Sequence, residues 1–232
     1  MITKSIYNSF SEAVSLHKKL LAILIDPEKF EIQNVAAFLR KLPVETTHLF
    51  VGGSTVADGM TEILVKSLKL YTAKPIILFP GDVSQITNAA DGLLFLSLLS
   101  GRNPEYLIGQ QVKAVSKLRD TSLEIIPTGY ILIDGENTSA VARVTQTKPL
   151  PQDDIQTIVD TAKAGELMGA KLMYLEAGSG AKIPVSSEII SAVKKELNIP
   201  LIVGGGIKTK EQIIAAYGAG ATMIVMGTAF EN

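Results

Sequence analysis

Two carboxylates, Asp26 and Glu176, directly follow short apolar runs, and their neighbouring residues suggest metal binding and proton transfer. Asp26 follows the run LLAILI and precedes Pro27, so its carboxylate is held rigidly. A rigid carboxylate suits Mg²⁺, a hard cation that takes few protein oxygens and completes its shell with water and phosphate. Ser54, after FVGG, offers a nearby hydroxyl. This pattern predicts a metal site at Asp26 and Ser54, and the plainer alternatives are a turn or cap for Asp26 and a helix N-cap for Ser54.

The second carboxylate, Glu176, belongs to the segment YLEAGSG and stands two residues before Gly178. In that position it is expected to orient or deprotonate a hydroxyl of a phosphate-bearing substrate. The plainer alternative is a loop salt bridge. Among the other acidic groups, Asp134 follows a predicted strand, Asp91 precedes its strand and so belongs to the opposite end, and Asp82 has no assigned role.

Glycines cluster after three successive apolar runs. The clusters are Gly178-Ser179-Gly180, Gly204-Gly205-Gly206 and Gly227-Thr228. Backbone N–H groups without side chains around them converge on phosphate oxygens, and helix N-termini favour negative charge. A tight turn explains any one cluster. Three clusters at successive strand ends favour a phosphate site.

Composition excludes several classes of function. Of the 232 residues, 47% are hydrophobic and 19% are charged, and the net charge is −1, which does not fit a nucleic-acid-binding protein. Cysteine is absent, which removes thiolate nucleophiles, disulfides and cysteine metal sites and fits a reducing cytoplasm, where we expect the protein. The two histidines, His17 and His48, are interpreted as structural.

The elements that must position these groups alternate between apolar strands and amphipathic helices. Nearly continuous apolar runs indicate parallel strands covered on both faces. The predicted strands are Leu21–Ile25, His48–Val51, Pro75–Phe79, Gly92–Leu96, Glu124–Pro127 with Tyr130–Ile133, Leu172–Leu175, Leu201–Val203 and Met223–Met226. They predict one domain over residues 1–232, an α/β fold of the (β/α)₈ TIM-barrel type, with a doubly wound open sheet as the alternative.

Two connections are irregular. Residues 80–91 are too few for a full helix with its turns, so irregular structure is expected to replace the third barrel helix. Either a 3₁₀ turn or a long apolar slot explains that gap. The segment from Asp134 to Asp154 is long enough for a lid over the site, and an ordered loop at a subunit contact is the alternative.

Several of these motifs together resemble the geranylgeranylglyceryl phosphate synthases and the related heptaprenylglyceryl phosphate synthases. The motifs are LIDPEK, VGGS, YLEAGSG, VGGGI and MGTAF, in the family's order along nearly the whole chain. The resemblance implies a prenyltransferase on a TIM barrel. It would join the C3 hydroxyl of sn-glycerol 1-phosphate to a polyprenyl diphosphate, with geranylgeranyl diphosphate expected, and release pyrophosphate to give an ether-lipid precursor.

The resemblance also implies roles for individual residues. Asp26 and Ser54 would hold Mg²⁺ against the diphosphate, Tyr130 would lie near the reacting prenyl carbon, and Glu176 would guide the glycerol proton. The glycerol phosphate would be bound by Tyr174, Leu175, Glu176, Ala177, Gly178, Ser179, Gly180, Gly205, Gly206, Gly227 and Thr228. A homo-oligomer and a transient membrane contact for product release are further expectations. The alternatives are a heptaprenylglyceryl phosphate synthase, a phosphosugar isomerase or lyase, and a non-catalytic phosphometabolite-binding protein.

Overall fold

The protein forms a closed barrel of eight parallel strands in a computed structural model that describes residues 5–227. Each strand pairs with the next in sequence, and β8 pairs with β1. The strands are β1 Leu20–Ile25, β2 Thr46–Val51, β3 Ile76–Leu78, β4 Gly92–Leu98, β5 Glu124–Leu132, β6 Leu172–Glu176, β7 Leu201–Gly204 and β8 Met223–Met226. The predicted (β/α)₈ barrel is therefore confirmed, and the open sheet is excluded. The two segments predicted around Pro127 form one strand, β5.

Helices surround the barrel. They are α1 Ile6–Ser15, α2 Val35–Lys41, α3 Met60–Lys69, α4 Gln110–Leu118, α5 Ala140–Thr145, α6 Ile155–Leu167, α7 Ser187–Glu196 and α8 Lys210–Gly218. Thr209 and Gln212 form the capping box that begins α8. A π-helical turn, Glu105–Gly109, follows Pro104 and leads into α4. Among residues 5–227, no helix has the length and apolar character needed to cross a membrane.

The third barrel helix is replaced as predicted. Between β3 and β4 the described chain has one short 3₁₀ helix, Val83–Gln85. The strand β3 has three residues and pairs with β4 at two positions, Ile77 with Gly92 and Leu78 with Leu93. Beyond Leu93, β4 pairs with β5 alone. The barrel wall is therefore open beside the carboxyl-terminal half of β4.

Helix α1 closes the amino-terminal end of the barrel. The Glu124 carboxylate accepts hydrogen bonds from the Ser5 hydroxyl (2.6 Å) and from the N–H groups of Ile6 (2.5 Å) and Tyr7 (2.9 Å). Phe10 packs on His48 with their ring centroids 5.2 Å apart. Burial, with the nearby Lys74 charge, lowers the pKa of His48 from 6.5 to about 4. His48 thus lies neutral at the end of the barrel opposite the catalytic face, as its structural interpretation requires.

Strand alternation determines which side chains enter the barrel. Along β6, Leu172 and Tyr174 lie in the inner core, whereas Met173 and Leu175 pack in the layer between barrel and helices. Glu176 is the next inward position, at the carboxyl end of its strand. Two-residue steps along β1 place Asp26 in the same way. The fold therefore brings both carboxylates to the mouth.

Candidate active site

A cavity of about 350 Å³ opens at the carboxyl ends of the strands. Its lining includes residues from all eight strand ends or the loops that follow them. Ten predicted site residues line it: Asp26, Ser54, Tyr130, Tyr174, Glu176, Ser179, Gly180, Gly205, Gly206 and Gly227. Leu175, Ala177 and Gly178 do not line it, and Thr228 lies outside the described residues. The structure thus gathers most of the predicted groups around one space.

Asp26 is oriented by its own loop. Its Oδ1 accepts the N–H of Glu28 at 3.0 Å, and its Oδ2 lies 3.6 Å from the Lys29 ammonium nitrogen. Gly53 packs directly on the carboxylate, since a Cβ there would lie 2.5 Å from Oδ1. Ser54 follows Gly53 in the loop after β2 and also lines the cavity. The two side chains offer hard oxygen donors to the cavity.

This donor set fits Mg²⁺ bound together with a phosphorylated ligand. Residues 5–227 contain no cluster of three or more acidic or histidine side chains that could hold a metal ion alone. Mg²⁺ commonly binds through one or two carboxylates and completes its shell with water and phosphate oxygens. One carboxylate and one hydroxyl are therefore a sufficient protein share.

Glu176 is buried at the carboxyl end of β6, where it lines the cavity. Its Oε1 accepts the N–H of Gly178 at 2.8 Å. Burial raises the pKa of the Glu176 carboxyl from 4.5 to about 7, while the hydrogen bond from the Gly178 N–H opposes that rise. A carboxyl with this pKa exchanges a proton readily near neutral pH, as a general base must. The loop salt bridge considered as an alternative is not formed: no ion pair of Glu176 occurs within the described chain.

Three aromatic rings pack beside this carboxylate. Phe79 stacks on Tyr174 with ring centroids 5.2 Å apart, and Tyr130 lies 5.8 Å from Phe79 and 5.4 Å from Tyr174. Burial and the Glu176 charge raise the pKa of both tyrosines well above 10.0, so both stay neutral. The Tyr174 oxygen adjoins Glu176 but has no hydrogen-bond partner of adequate geometry among residues 5–227. The group forms an electron-rich, uncharged wall.

The glycines after β6 and β7 are needed for packing inside the protein, in addition to the phosphate binding predicted for them. A Cβ on Gly204 would lie 2.4 Å from the Tyr174 oxygen, and one on Gly205 would lie 2.3 Å from Glu176 Oε1. Gly205 also has a φ of 80°, which side-chain-bearing residues rarely adopt. The N–H of Gly178 is already bonded to Glu176, and that of Ala177 to the Gly204 carbonyl. The glycines therefore shape the Glu176 pocket, and their contact with phosphate stays a prediction.

An apolar arm of the cavity passes through the open part of the barrel wall. Its lining includes Leu94 and Leu96, which face inward from β4, and also Leu93 and Phe95, which belong to the outer layer. Both sides of one strand border the same cavity only where the neighbouring strand has ended. Ile86 and Ala114 continue the lining where a third helix would otherwise stand. The structure thus contains both the 3₁₀ turn and the apolar slot.

The segment from Asp134 to Asp154 covers part of the cavity as an ordered loop. It contains α5, from which Val141, Arg143 and Val144 line the cavity. Ile133 forms a parallel bridge with Leu150. The Gln152 side chain donates to the carbonyls of Asp134 and Pro184 and accepts the N–H of Ser186. These bonds anchor the base of the loop, and opening as a lid stays a prediction.

Several groups at the cavity were not predicted. Phe79 follows a strand, but its stacking depends on distant tyrosines. Lys29, Arg143 and Lys208 add positive charge to the lining, and loop lysines and arginines give no distinctive pattern in a sequence.

The acidic residues without a predicted role also have places in the structure. Asp82 lines the cavity and caps the 3₁₀ helix through the Ser84 N–H and hydroxyl, both at 2.6 Å. Asp91 binds the Ile76 N–H and Lys69, as expected for the opposite end. Asp134 accepts the N–H of Glu136 at the base of the loop and does not line the cavity.

Comparisons with known proteins cover nearly the whole chain. The model of the PcrB family matches residues 14–232. The geranylgeranylglyceryl phosphate synthase of Zunongwangia profunda is 59% identical over 227 residues, which are 98% of this chain and 97% of that protein. The geranylgeranylglyceryl phosphate synthase of Flavobacterium johnsoniae is 51% identical over 232 residues, which are 100% of this chain and 96% of that protein. A similar solved structure is the crystal structure of (S)-3-O-geranylgeranylglyceryl phosphate synthase from Thermoplasma acidophilum in complex with sn-glycerol-1-phosphate. It matches with a TM-score of 0.91 and 35% sequence identity, and the match covers 99% of this chain and 93% of that chain.

Proposed function

Because the chain belongs to the PcrB family, we propose that it is a prenyltransferase that joins the C3 hydroxyl of sn-glycerol 1-phosphate to a polyprenyl diphosphate. Geranylgeranyl diphosphate is the expected donor, and pyrophosphate is the second product. The observation that carries this proposal is the shape of the cavity. It has a polar mouth with two separate carboxylates and an apolar arm that passes through the barrel wall.

The glycerol phosphate is assigned to the side of the mouth formed by β6, β7 and β8. Gly180, Gly206 and Gly227 line the cavity there, and Lys208 adds a positive charge. Backbone N–H groups and a cation suit a phosphate dianion. This placement directs the C3 hydroxyl toward Glu176, whose raised pKa suits it to accept the hydroxyl proton.

The diphosphate is assigned to the Asp26 side. Asp26 and Ser54 would hold Mg²⁺ there, with Lys29 beside them. When bound, Mg²⁺ would supply positive charge that stabilises the negative charge growing on the departing pyrophosphate. Dependence on Mg²⁺ is part of the proposal.

In the reaction, the bond between the prenyl C1 and the diphosphate oxygen breaks, and its electron pair leaves with pyrophosphate. The rings of Tyr130, Tyr174 and Phe79 offer their faces to the allylic positive charge. The C3 oxygen attacks C1 and forms the ether bond, while its proton passes to Glu176. No covalent enzyme intermediate is needed.

The prenyl tail is assigned to the apolar arm. Each buried CH₂ contributes about 0.8 kcal/mol, so a long tail supplies much of the binding free energy. A heptaprenyl donor differs only in the length of arm it needs. A phosphosugar isomerase or lyase would use the same glycine loops but has no use for this arm.

The decisive experiment offers the enzyme sn-glycerol 1-phosphate with geranyl, farnesyl, geranylgeranyl or heptaprenyl diphosphate and identifies the ether products by mass spectrometry. We expect the geranylgeranyl ether to dominate and EDTA to abolish its formation. A dominant heptaprenyl product would establish the alternative donor. Absence of any ether would refute the proposal, and retained turnover in EDTA would refute the metal assignment alone.

A further inference from the structure

Gln85 lies in the connection between β3 and β4, which replaces the third barrel helix, and links this connection to the loop that carries Ser54. Its side chain is 2% exposed and belongs to the 3₁₀ helix Val83–Gln85. Its Nε2 donates to the Gly53 carbonyl at 2.7 Å, and its Oε1 accepts the Gly53 N–H at 3.1 Å. One primary amide therefore binds both polar groups of one backbone residue, as a neighbouring strand would.

These two hydrogen bonds replace a missing part of the sheet. Strand β3 ends at Leu78, so Gly53 has no further β3 residue beside it. Without Gln85, the N–H and carbonyl of the half-buried Gly53 would lose both of these protein partners, and the loop would lose the two bonds that fix it to the connection between β3 and β4. The loop after β2 thus depends for its position on a residue 32 positions away.

Gly53 in turn contacts the proposed metal ligand. The Asp26 carboxylate lies against its Cα, so close that a Cβ at Gly53 would be 2.5 Å from Oδ1 and 3.0 Å from Oδ2. Ser54 is the next residue. A shift of the Gly53 backbone would therefore change the position of Ser54 relative to Asp26.

A second contact from the same connection confines the loop. A Cβ on Gly81 would lie 2.4 Å from the Gly53 carbonyl oxygen and 3.0 Å from that of Ser54. Glycine at position 81 therefore lets the two loops touch, and the Gln85 amide holds them in that contact.

From these contacts we propose that Gln85 is a positioning residue for the diphosphate–metal site: it fixes Gly53, and through it Ser54, against Asp26. The inference rests on the proposed function, because that function assigns the metal to Asp26 and Ser54. It assigns a role to the connection that replaces the third helix, beyond leaving room for the apolar arm. Gln85 itself touches neither substrate in this scheme.

The test measures metal binding directly in the full chain. Mn²⁺ in place of Mg²⁺ is titrated with inorganic pyrophosphate present and followed by electron paramagnetic resonance. We expect Gln85→Met, which has a similar shape but makes neither hydrogen bond, to weaken Mn²⁺ binding by about tenfold or more, the usual effect of losing a residue that orients a metal ligand. The affinity for sn-glycerol 1-phosphate, measured by calorimetry, should change less than about twofold by the same reasoning.

Two further variants make the result specific. Gly81→Ala crowds the same contact without removing the Gln85 amide, because the added Cβ would lie 2.4 Å from the Gly53 carbonyl oxygen and 3.1 Å from Gln85 Nε2, and it should weaken Mn²⁺ binding as well. It also serves if Gln85→Met does not fold. Gln152→Met is the matched control, because Gln152 also bridges backbone groups but far from Asp26 along the barrel rim. It should lower thermal stability without changing Mn²⁺ affinity.

The outcomes separate this inference from the proposed function. Unchanged Mn²⁺ affinity in folded Gln85→Met or Gly81→Ala, with only a lower melting temperature, would show that Gln85 is merely structural. An equal loss in Gln152→Met would also overturn the inference. If the wild-type chain binds no Mn²⁺ with pyrophosphate, the metal assignment itself fails, which is a different result.

Discussion

Replacing Glu176 with glutamine is expected to slow prenyl transfer. It should also raise the free energy of unfolding relative to wild type as the pH rises from 4.5 to about 7. The amide keeps an oxygen for the Gly178 N–H, which Glu176 Oε1 accepts at 2.8 Å, but it cannot take a proton from glycerol. Loss of a general base costs about 10² to 10⁴ in rate, or about 3 to 5 kcal/mol of transition-state stabilisation.

The pH profile should identify the same group. Since the pKa of Glu176 is about 7, wild-type kcat/KM for sn-glycerol 1-phosphate should fall about tenfold per pH unit below that value. At pH 6 roughly a tenth of the carboxyls is ionised, and at pH 8 roughly nine-tenths. In Glu176→Gln this acidic limb should disappear, because no proton on residue 176 is left to titrate.

The stability change follows from the same pKa. The folded state raises the pKa of Glu176 from 4.5 to about 7, so the folded protein binds this proton more tightly than the unfolded chain. Its contribution is fully present below pH 4.5 and is lost as the pH rises through 7, a loss of about 3 kcal/mol. Relative to wild type, the free energy of unfolding of Glu176→Gln should therefore rise by that amount between these pH values and then stay level.

The assays are initial rates of ether formation from pH 5.5 to 8.5 and urea unfolding of both proteins from pH 4.5 to 8. His48 is present in both proteins, so its titration cancels in the difference. A variant that keeps an acidic limb near pH 7, or that retains more than about a tenth of the wild-type rate, would refute the assignment of Glu176 as the base. A pH-independent stability difference would refute the shifted pKa.

Three other changes test separate parts of the structure. Asp26→Ala should abolish prenyl transfer and leave the calorimetric affinity for sn-glycerol 1-phosphate nearly unchanged, because the two head groups are assigned to different residues of the mouth; unchanged turnover would contradict the metal assignment. The pKa of His48 is lowered from 6.5 to about 4, so the wild-type protein should lose up to about 3 kcal/mol of stability as the pH falls between these values, and His48→Gln should lose less, as measured by urea unfolding. Ala114, 3% exposed and lining the apolar arm, should obstruct the arm when changed to Phe: with competing donors, products should shift toward the farnesyl ether, and an unchanged product ratio would place the tail elsewhere.

The barrel and the gap in its helices were predictable because both depend on local patterns. Continuous apolar runs indicate covered parallel strands, and the spacing of residues 80–91 leaves no room for a helix. The positions of Asp26 and Glu176 follow from the same reasoning, since both residues end strands whose carboxyl ends must meet. The predicted strand bounds differ from the observed ones by at most two residues, and the interruption expected around Pro127 is absent from β5.

What the sequence did not reveal depends on contacts between distant segments. The raised pKa of Glu176 comes from burial by neighbouring strands, which no single segment contains. The bonds from Gln85 to Gly53 span 32 positions, and a lone glutamine in a turn carries no signal. The phosphate interpretation of the glycines was drawn from their number, whereas the steric need at Gly204 and Gly205 requires knowing where Tyr174 and Glu176 point.

The short strand β3 has a consequence for how a finished lipid leaves. A prenyl tail bound in the apolar arm, as proposed, would leave either by sliding back along its whole length or through a sideways opening of the barrel wall. Two residue pairs hold β3 to β4, against seven between β4 and β5. Separating the barrel at this boundary would break fewer strand pairings than at any other boundary, and the opening would face outward, on the flank to which the prenyl tail is assigned.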